Sequence, residues 1–296
     1  MILILIFLVS LAPPTLIFLG LRKRHGVEDG VYRNICNRTF WSGAIWCPLV
    51  LIVVDGTLSI IRLALVKTGV MSTLGKELYE DILMNGLVEE VLKYMAFKRM
   101  LKKYPYEYSS LDVISLMMIV GIGFGLMESF FYAAGANAGM MLVRGITAMH
   151  CGYGFIMGCF LAKGMKTGDK KYTVLGLLIP FVLHATYDAC LGDAVDKINS
   201  NFMFVSGALA VVAIITLVVA IVFFVKNSKN PELNVSLGLR FESWTAPKTP
   251  AASVGNDNVT MTDDMNLSQA IEAQAKADAE AVADSEKSDS ANTDAE

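Results

Sequence analysis

The sequence predicts an all-α integral membrane protein with about seven transmembrane helices and a disordered acidic C-terminal tail. Apolar residues make up 54% of the 296 residues and charged residues 18%, whereas soluble domains average ~45–50% and ~25%. The apolar residues gather into stretches about 20 long, the length of helix that crosses a bilayer core of about 30 Å. This composition argues against a disordered chain, a small disulfide-linked fold and a nucleic-acid-binding protein.

Apolar stretches that could each cross a bilayer mark the expected spans. The first is followed, rather than preceded, by basic residues, so we expect a retained span and not a cleaved signal peptide. The third is interrupted by three charged residues, and we interpret it as a span whose charges serve a function. The seven stretches are 2–21, 41–61, 82–97, 111–133, 140–162, 172–192 and 202–225.

The distribution of basic residues between the spans predicts the orientation. Lys and Arg number 15 in the segments 22–40, 98–110, 163–171 and 226–229, and 4 in the alternate segments. Because cytoplasmic loops are enriched in these residues, we expect a multi-pass plasma-membrane protein with its N-terminus outside and its tail in the cytoplasm. In this orientation His25 would be a solvated residue of a cytoplasmic loop.

Charge divides the chain into two regions. Residues 1–226 carry 20 Lys and Arg against 15 Asp and Glu, whereas residues 227–296 carry 5 against 13. We interpret 1–226 as a transmembrane helical domain in a lipid bilayer. The remainder is a low-complexity cytoplasmic tail that buries too little apolar surface to order itself, apart from a possible short helix near 265–283.

Ionisable side chains within the spans are candidates for function, because each costs several kcal/mol unless it is paired or hydrated. At a rise of about 1.5 Å per residue, these groups fall in the outer half of the membrane, about 6–15 Å below its surface. We therefore expect one polar cavity that opens toward the outside. The groups come from four of the spans and are Glu89, Glu90, Lys93, Glu128, Arg144, His150, His184 and Asp188.

The glutamates of the third span are expected to play different parts. Glu89 and Lys93 are four residues apart and can pair on one helix face. Glu90 points about 100° away from Glu89. One carboxylate would therefore face the cavity, while Lys93 or Arg144 holds the other.

Helical spacing also groups residues on the other spans. His184 and Asp188 are four residues apart, so both can face the cavity. Tyr132 follows Glu128 by one turn, and we expect it to pack or form hydrogen bonds at the membrane interface. The alternating glycines of GIGFG, residues 121–125, would let another helix approach closely.

Three kinds of chemistry suit such a cluster. A carboxylate could act as general base on water, or a divalent metal such as zinc could activate water, with Glu128, His150 and His184 as candidate ligands. Alternatively, the cluster could serve a non-enzymatic ion or proton carrier or a partner-binding scaffold. The chain has no GxSxG, HExxH or phosphate-binding loop, and it shows no internal repeat of the kind common in carriers.

Four segments lie in order on successive expected spans: VEEVLKY, GFGLMESFFY, RGITAMHCGYGFIMG and HATYD. This set, within residues 5–192, resembles the PrsW family of intramembrane proteases, which is related to the type II CAAX prenyl endopeptidases. The resemblance implies an all-helical protease that cuts a single-pass membrane protein near the outer face. A member of that family makes the first cut in an anti-sigma factor.

The resemblance also implies which residues form the site. The family's paired glutamates correspond to Glu89 and Glu90, and their basic partner to Lys93. Its FGxxE motif corresponds to Phe124 and Glu128, and the histidine of the next span to His150. Its HxxxD motif corresponds to His184 and Asp188. Ser129 stands where the family often has Asn.

These residues lead to a mechanistic hypothesis. Glu89 would take a proton from water, helped by His150 or Glu128. His184, oriented by Asp188, would stabilise the oxyanion. Lys93 and Arg144 would hold the second carboxylate, and Tyr132 would support the site.

Overall fold

The computed structural model describes residues 2–237 except 27–28, 105, 135–138, 140–142, 144, 146, 192–194 and 196–197. The described residues form helices, with one isolated β-bridge between Ser109 and Ser236. The predicted all-α class is therefore confirmed. The predicted disordered tail beyond residue 237 and its short helix near 265–283 lie outside the described residues.

The helices follow one another with short connections. Two π-helical segments, π1 and π2, interrupt the α-helices without breaking the chain direction. In order they are α1 (Ile2–Arg22), α2 (Gly30–Trp41), π1 (Ser42–Trp46), α3 (Cys47–Lys67), α4 (Thr73–Leu78), π2 (Tyr79–Val88), α5 (Glu89–Lys103), α6 (Ser110–Ala134), α7 (Met149–Thr167), α8 (Lys170–Ala189), α9 (Phe202–Asn227) and α10 (Pro231–Asn234).

Several helices are long and apolar enough to cross a membrane, as a multi-pass membrane protein requires. Within the described residues there are five: Leu5–Arg22, Gly30–Lys67, Ser110–Ala133, Lys170–Ala189 and Phe202–Asn227. The expected count of seven is not confirmed. The stretch 82–97 is divided between π2 and α5, and α7 begins at Met149, well inside the expected span 140–162.

Helix α6 lies at the centre of the bundle and packs closely against its neighbours. A Cβ added to Gly121 would lie 2.1 Å from the carbonyl oxygen of His150 on α7. A Cβ on Gly123 would lie 2.3 Å from the carbonyl oxygen of Phe40 on α2. Because these contacts leave no room for a side chain, the predicted close approach at GIGFG is confirmed, and it sets the distance between α6 and His150.

A second close contact joins π2 to α8. A Cβ added to Gly86 would lie 2.6 Å from the Cβ of Ala185. Gly86 precedes Glu89 by three residues, and Ala185 directly follows His184. The contact therefore brings the start of α5 next to the histidine of α8.

A polar network joins the end of α1, the start of α6 and the short helix α10. Arg24 donates from Nε to Oδ1 of Asp112 at 3.0 Å and from Nη1 to Oδ1 of Asn234 at 2.7 Å. His25 Nε2 lies 2.7 Å from the same Asp112 oxygen, and its side chain is only 30% exposed. His25 nevertheless remains an exposed residue, as expected for a loop, and its ring in addition contacts the buried Asp112.

Candidate active site

The paired glutamates at the start of α5 have different surroundings. Lys93 Nζ donates to Oε1 of Glu90 at 2.7 Å, while it lies 3.5 Å from Oε2 of Glu89. All three side chains are almost completely buried. Lys93 thus holds Glu90 more tightly than Glu89, although helical spacing alone allowed either pairing.

His150 lies between the ammonium group of Lys93 and the carboxylate of Glu128. Its Nδ1 is 2.9 Å from Lys93 Nζ, and its Nε2 is 2.5 Å from Oε2 of Glu128 on α6. Since an ammonium group can only donate, Nδ1 must accept and Nε2 must carry the proton that Glu128 accepts. This tautomer is assigned from the hydrogen-bond network. Phe124 packs edge-on against the His150 ring, with centroids 5.1 Å apart.

His184 lies among three carboxylates. Its Nδ1 lies 3.0 Å from Oε1 of Glu90, to which it donates. Its Nε2 lies 3.2 Å from Oδ2 of Asp188 and 4.0 Å from Oε2 of Glu89. Nε2 is buried and makes no hydrogen bond of good geometry. This atom is therefore a candidate donor or ligand, with the Asp188 carboxylate as its nearest charged neighbour.

Three of these side chains could hold a metal ion. Glu89, His150 and His184 each offer one ligand atom, and these atoms lie within 4.8 Å of one another. A Glu with two His is a common ligand set of catalytic zinc sites, and Nε2 of His184 makes no hydrogen bond of good geometry within the described residues, so the residues fit a divalent ion. Such an ion would compete with Lys93 for the lone pair of His150. The third ligand is Glu89 in this grouping, whereas the sequence suggested Glu128.

The backbone before His150 adopts an unusual conformation. Ala148 has φ 43° and ψ 44°, which is left-handed, and it is the only non-glycine residue with positive φ in the described part of the chain. Such a conformation costs an L-residue roughly 1–2 kcal/mol. It starts α7 at Met149 and so directs His150 toward α6. Nothing in the sequence signals this turn.

The structure places most of the expected site residues together. Glu89, Glu90, Lys93, Glu128, His150, His184 and Asp188 form the contacts above. Tyr132 is half-buried on α6 one turn beyond Glu128, and Arg144 lies outside the described residues. The sequence analysis did not single out Tyr153, whose ring centroid lies 5.3 Å from that of His184, although its position three residues after His150 could have indicated it.

Comparison with known proteins identifies the family. The family described as PrsW family intramembrane metalloprotease matches residues 33–225. This match covers well over half of the chain and includes all the residues of the cluster. The chain belongs to the PrsW family.

Individual PrsW proteins are similar over shorter regions. Protease PrsW of Bacillus subtilis is 32% identical over 124 residues, which are 40% of this chain and 56% of the relative. Protease PrsW of Clostridioides difficile is 26% identical over 43% of this chain and 58% of the relative. Protease PrsW of Shouchella clausii is 31% identical over 38% of this chain and 54% of the relative. The chain thus spans a little over half the length of these PrsW relatives, and no solved structure matches it significantly.

Proposed function

We propose that this protein is an intramembrane peptidase that hydrolyses a peptide bond in a membrane-anchored protein. The observation that carries the proposal is the convergence of Glu89, His150 and His184 from three helices, with ligand atoms within 4.8 Å of one another. Membership of the PrsW family supports the same chemistry.

Glu89 is the group that we assign to water. Among the described residues, its carboxylate has no partner as close as the 2.7 Å contact that neutralises Glu90. A carboxylate that is not fully engaged can accept a proton from water as the water attacks the scissile carbonyl. Glu90 instead fixes Lys93 and His184 in place.

His184 is assigned to the oxyanion. Glu90 and Asp188 hold the ring from both sides, at 3.0 and 3.2 Å. With Nε2 protonated, His184 would donate to the oxygen that becomes negative during attack. Losing one such donor typically costs about 2.7–4 kcal/mol in transition-state stabilisation.

His150 completes the group, and Glu128 positions it by accepting its Nε2 proton. In an alternative, metal-dependent form of the proposal, a divalent ion held by Glu89, His150 and His184 would supply Lewis-acid activation of water and carbonyl, and His184 would ligate rather than donate. Glu128 would then act as the outer carboxylate that orients a ligating histidine.

The substrate that we propose is a single-pass membrane protein cut near the outer face, such as an anti-sigma-like regulator. The proposed setting is the plasma membrane, with the N-terminus outside. The relatives' name, Protease PrsW, supports the protease class. The depth of Glu89 and His150 in the expected spans supports the place of cleavage.

The deciding experiment compares protein termini in membranes from cells that carry the wild type or Glu89→Gln at matched expression. New termini near the outer face that appear only with the wild type would establish the protease and identify its substrate. Glu107→Gln, which changes an exposed glutamate in the α5–α6 connection, should behave as wild type. Identical termini in all samples would refute proteolysis and favour an ion carrier, which ion-flux assays on the purified protein would then test.

Metal analysis of the purified protein tests the metal-dependent form of the proposal. Near-stoichiometric zinc or another divalent ion in the wild type, lost in His184→Ala, would assign the site to a metal. A metal-free protein that still cleaves would assign the chemistry to Glu89 alone.

A further inference from the structure

Asp55 is an acidic residue inside the long apolar helix Gly30–Lys67, away from the candidate site. The apolar part of the α2–π1–α3 helix lies between Arg38 and Lys67 and contains one further basic residue, Arg62. Asp55 is 17 residues from Arg38 and 12 residues from Lys67. At 1.5 Å per residue it lies about 26 Å and about 18 Å from them. Asp55 lies within the expected span 41–61, about 10 Å from Arg62 along the helix.

Asp55 is exposed on the surface that the bundle presents to lipid. Its carboxylate accepts a hydrogen bond from Oγ of Ser59 at 3.3 Å, whereas a carboxylate has about four acceptor sites. An acidic group within a membrane helix is costly, by up to about 2.5–3.5 kcal/mol at the helix centre, and such groups usually face protein. The exposed carboxylate therefore indicates a partner.

The residues around Asp55 form a face suited to another helix. Asp55, Ser59 and Leu63 recur at four-residue intervals, with Ile52 and Gly56 alongside, so they share one side of α3. We call this set the Asp55 face. A Cβ added to Gly56 would meet no atom within 4 Å, so Gly56 leaves a notch that a second helix could enter.

The Asp55 face is connected to the start of the candidate site. Arg62 donates from Nη2 to Oγ of Ser59 at 3.2 Å, and its Nη1 binds Glu80 on π2. The π2 helix runs directly into Glu89. A helix that docks on the Asp55 face would thus lie beside the element that presents the proposed base.

We propose that the Asp55 face binds the transmembrane helix of the substrate, through a basic or hydrogen-bond-donating residue within that helix. Charge complementarity selects this occupant. A second copy of this chain packed about a two-fold axis would bring two Asp55 carboxylates toward each other, and like charges repel. The proposal takes the kind of occupant from the proposed function, whereas the binding itself can be measured without catalysis.

The test uses the full chain carrying Glu89→Gln, labelled on its tail and reconstituted in lipid vesicles. The probes are two donor-labelled 21-residue Leu/Ala helices that differ only at the centre, one with Lys and one with Leu. Energy transfer should show the Lys helix binding about fivefold more tightly, which corresponds to about 1 kcal/mol. Asp55→Leu should abolish the difference, whereas Thr57→Leu, on the opposite side of α3, should preserve it.

Equal binding of the two helices to the Glu89→Gln chain would overturn the proposal. Self-association of the chain that depends on Asp55 would overturn it too, because a second copy would then be the occupant. If the Glu89→Gln chain did not bind the Lys helix while the wild type still cleaved its substrate, this inference alone would be refuted. Intact docking with no cleavage in the wild type would refute only the proposed function.

Discussion

Oε1 of Glu90 accepts a hydrogen bond from Nδ1 of His184 at 3.0 Å, across 94 residues of sequence. Both side chains are 1% exposed. This contact joins α5 to α8 through the glutamate that Lys93 also holds. Glu90 therefore supports the arrangement of the cluster, which is why we assign the proposed chemistry to Glu89.

The two glutamates should respond differently to substitution. Glu90→Ala would leave the Lys93 ammonium buried without its closest partner, a change that typically costs about 3–5 kcal/mol. We expect its unfolding midpoint in detergent to fall well below that of the wild type. Glu89→Gln should unfold near the wild-type temperature while losing cleavage.

Glu90→Gln is the matched control, because its amide can still accept from Lys93 or His184. Its midpoint should lie between those of the wild type and Glu90→Ala. If all three glutamate variants unfolded alike, the separate roles of Glu89 and Glu90 would be wrong.

Glu128 should act through His150. Glu128→Ala removes the acceptor of the Nε2 proton and frees the ring to turn. Removing such an orienting carboxylate from a metal-site histidine typically costs about 10–100-fold in metal affinity or activity. Bound-metal content and the cleavage rate should both fall while the unfolding midpoint changes little. A fall in the midpoint without loss of specific activity would make Glu128 purely structural.

Gly86 should set the spacing between α5 and α8. In Gly86→Ala the new Cβ would lie 2.6 Å from that of Ala185, so π2 must shift, at a typical cost of about 1–3 kcal/mol. We expect a lower unfolding midpoint and slower cleavage. Gly20→Ala on α1, where an added Cβ meets no atom within 4 Å, is the control and should change neither. Wild-type behaviour of Gly86→Ala would show that the contact relaxes freely.

The Arg24–Asp112 pair should stabilise the fold away from the site. Asp112→Ala leaves a buried arginine without its carboxylate, and breaking such a pair typically costs about 3–5 kcal/mol. The double variant Arg24→Met with Asp112→Ala removes that unpaired charge, so we expect it to recover part of the lost midpoint temperature. Additive losses in the double variant would mean that the two side chains do not stabilise each other.

The composition of the site could be predicted because its physical signal is local. Charged residues such as Glu89 and Glu128 are conspicuous inside apolar stretches, and i,i+4 spacing places His184 and Asp188 on one side of a helix. Which groups pair across helices depends on the backbone approach at Gly86 and Gly121. The sequence reveals such glycines, but it does not reveal what they touch.

Other features of the structure have no recognisable signal in the sequence. The left-handed turn at Ala148 uses a residue with no preference for it, and π2 has the composition of an ordinary helix. His25 lies at the surface as expected, but its contact with Asp112 could not be predicted from the sequence. Asp55 has no further acidic residue or histidine on its helix, whereas the site residues form a group of such residues on neighbouring spans.

The contacts of Arg24 have a practical consequence for topology mapping. Through Asp112 and Asn234 they gather the α1–α2 connection, the start of α6 and the segment after α9 on one side of the bundle. Leu237 continues this arrangement by donating from its backbone to the carbonyl of Tyr108. A single enzymatic reporter fused after Leu237 would therefore show on which side of the membrane all three connections lie. The opposite ends of the helices would then face the other compartment.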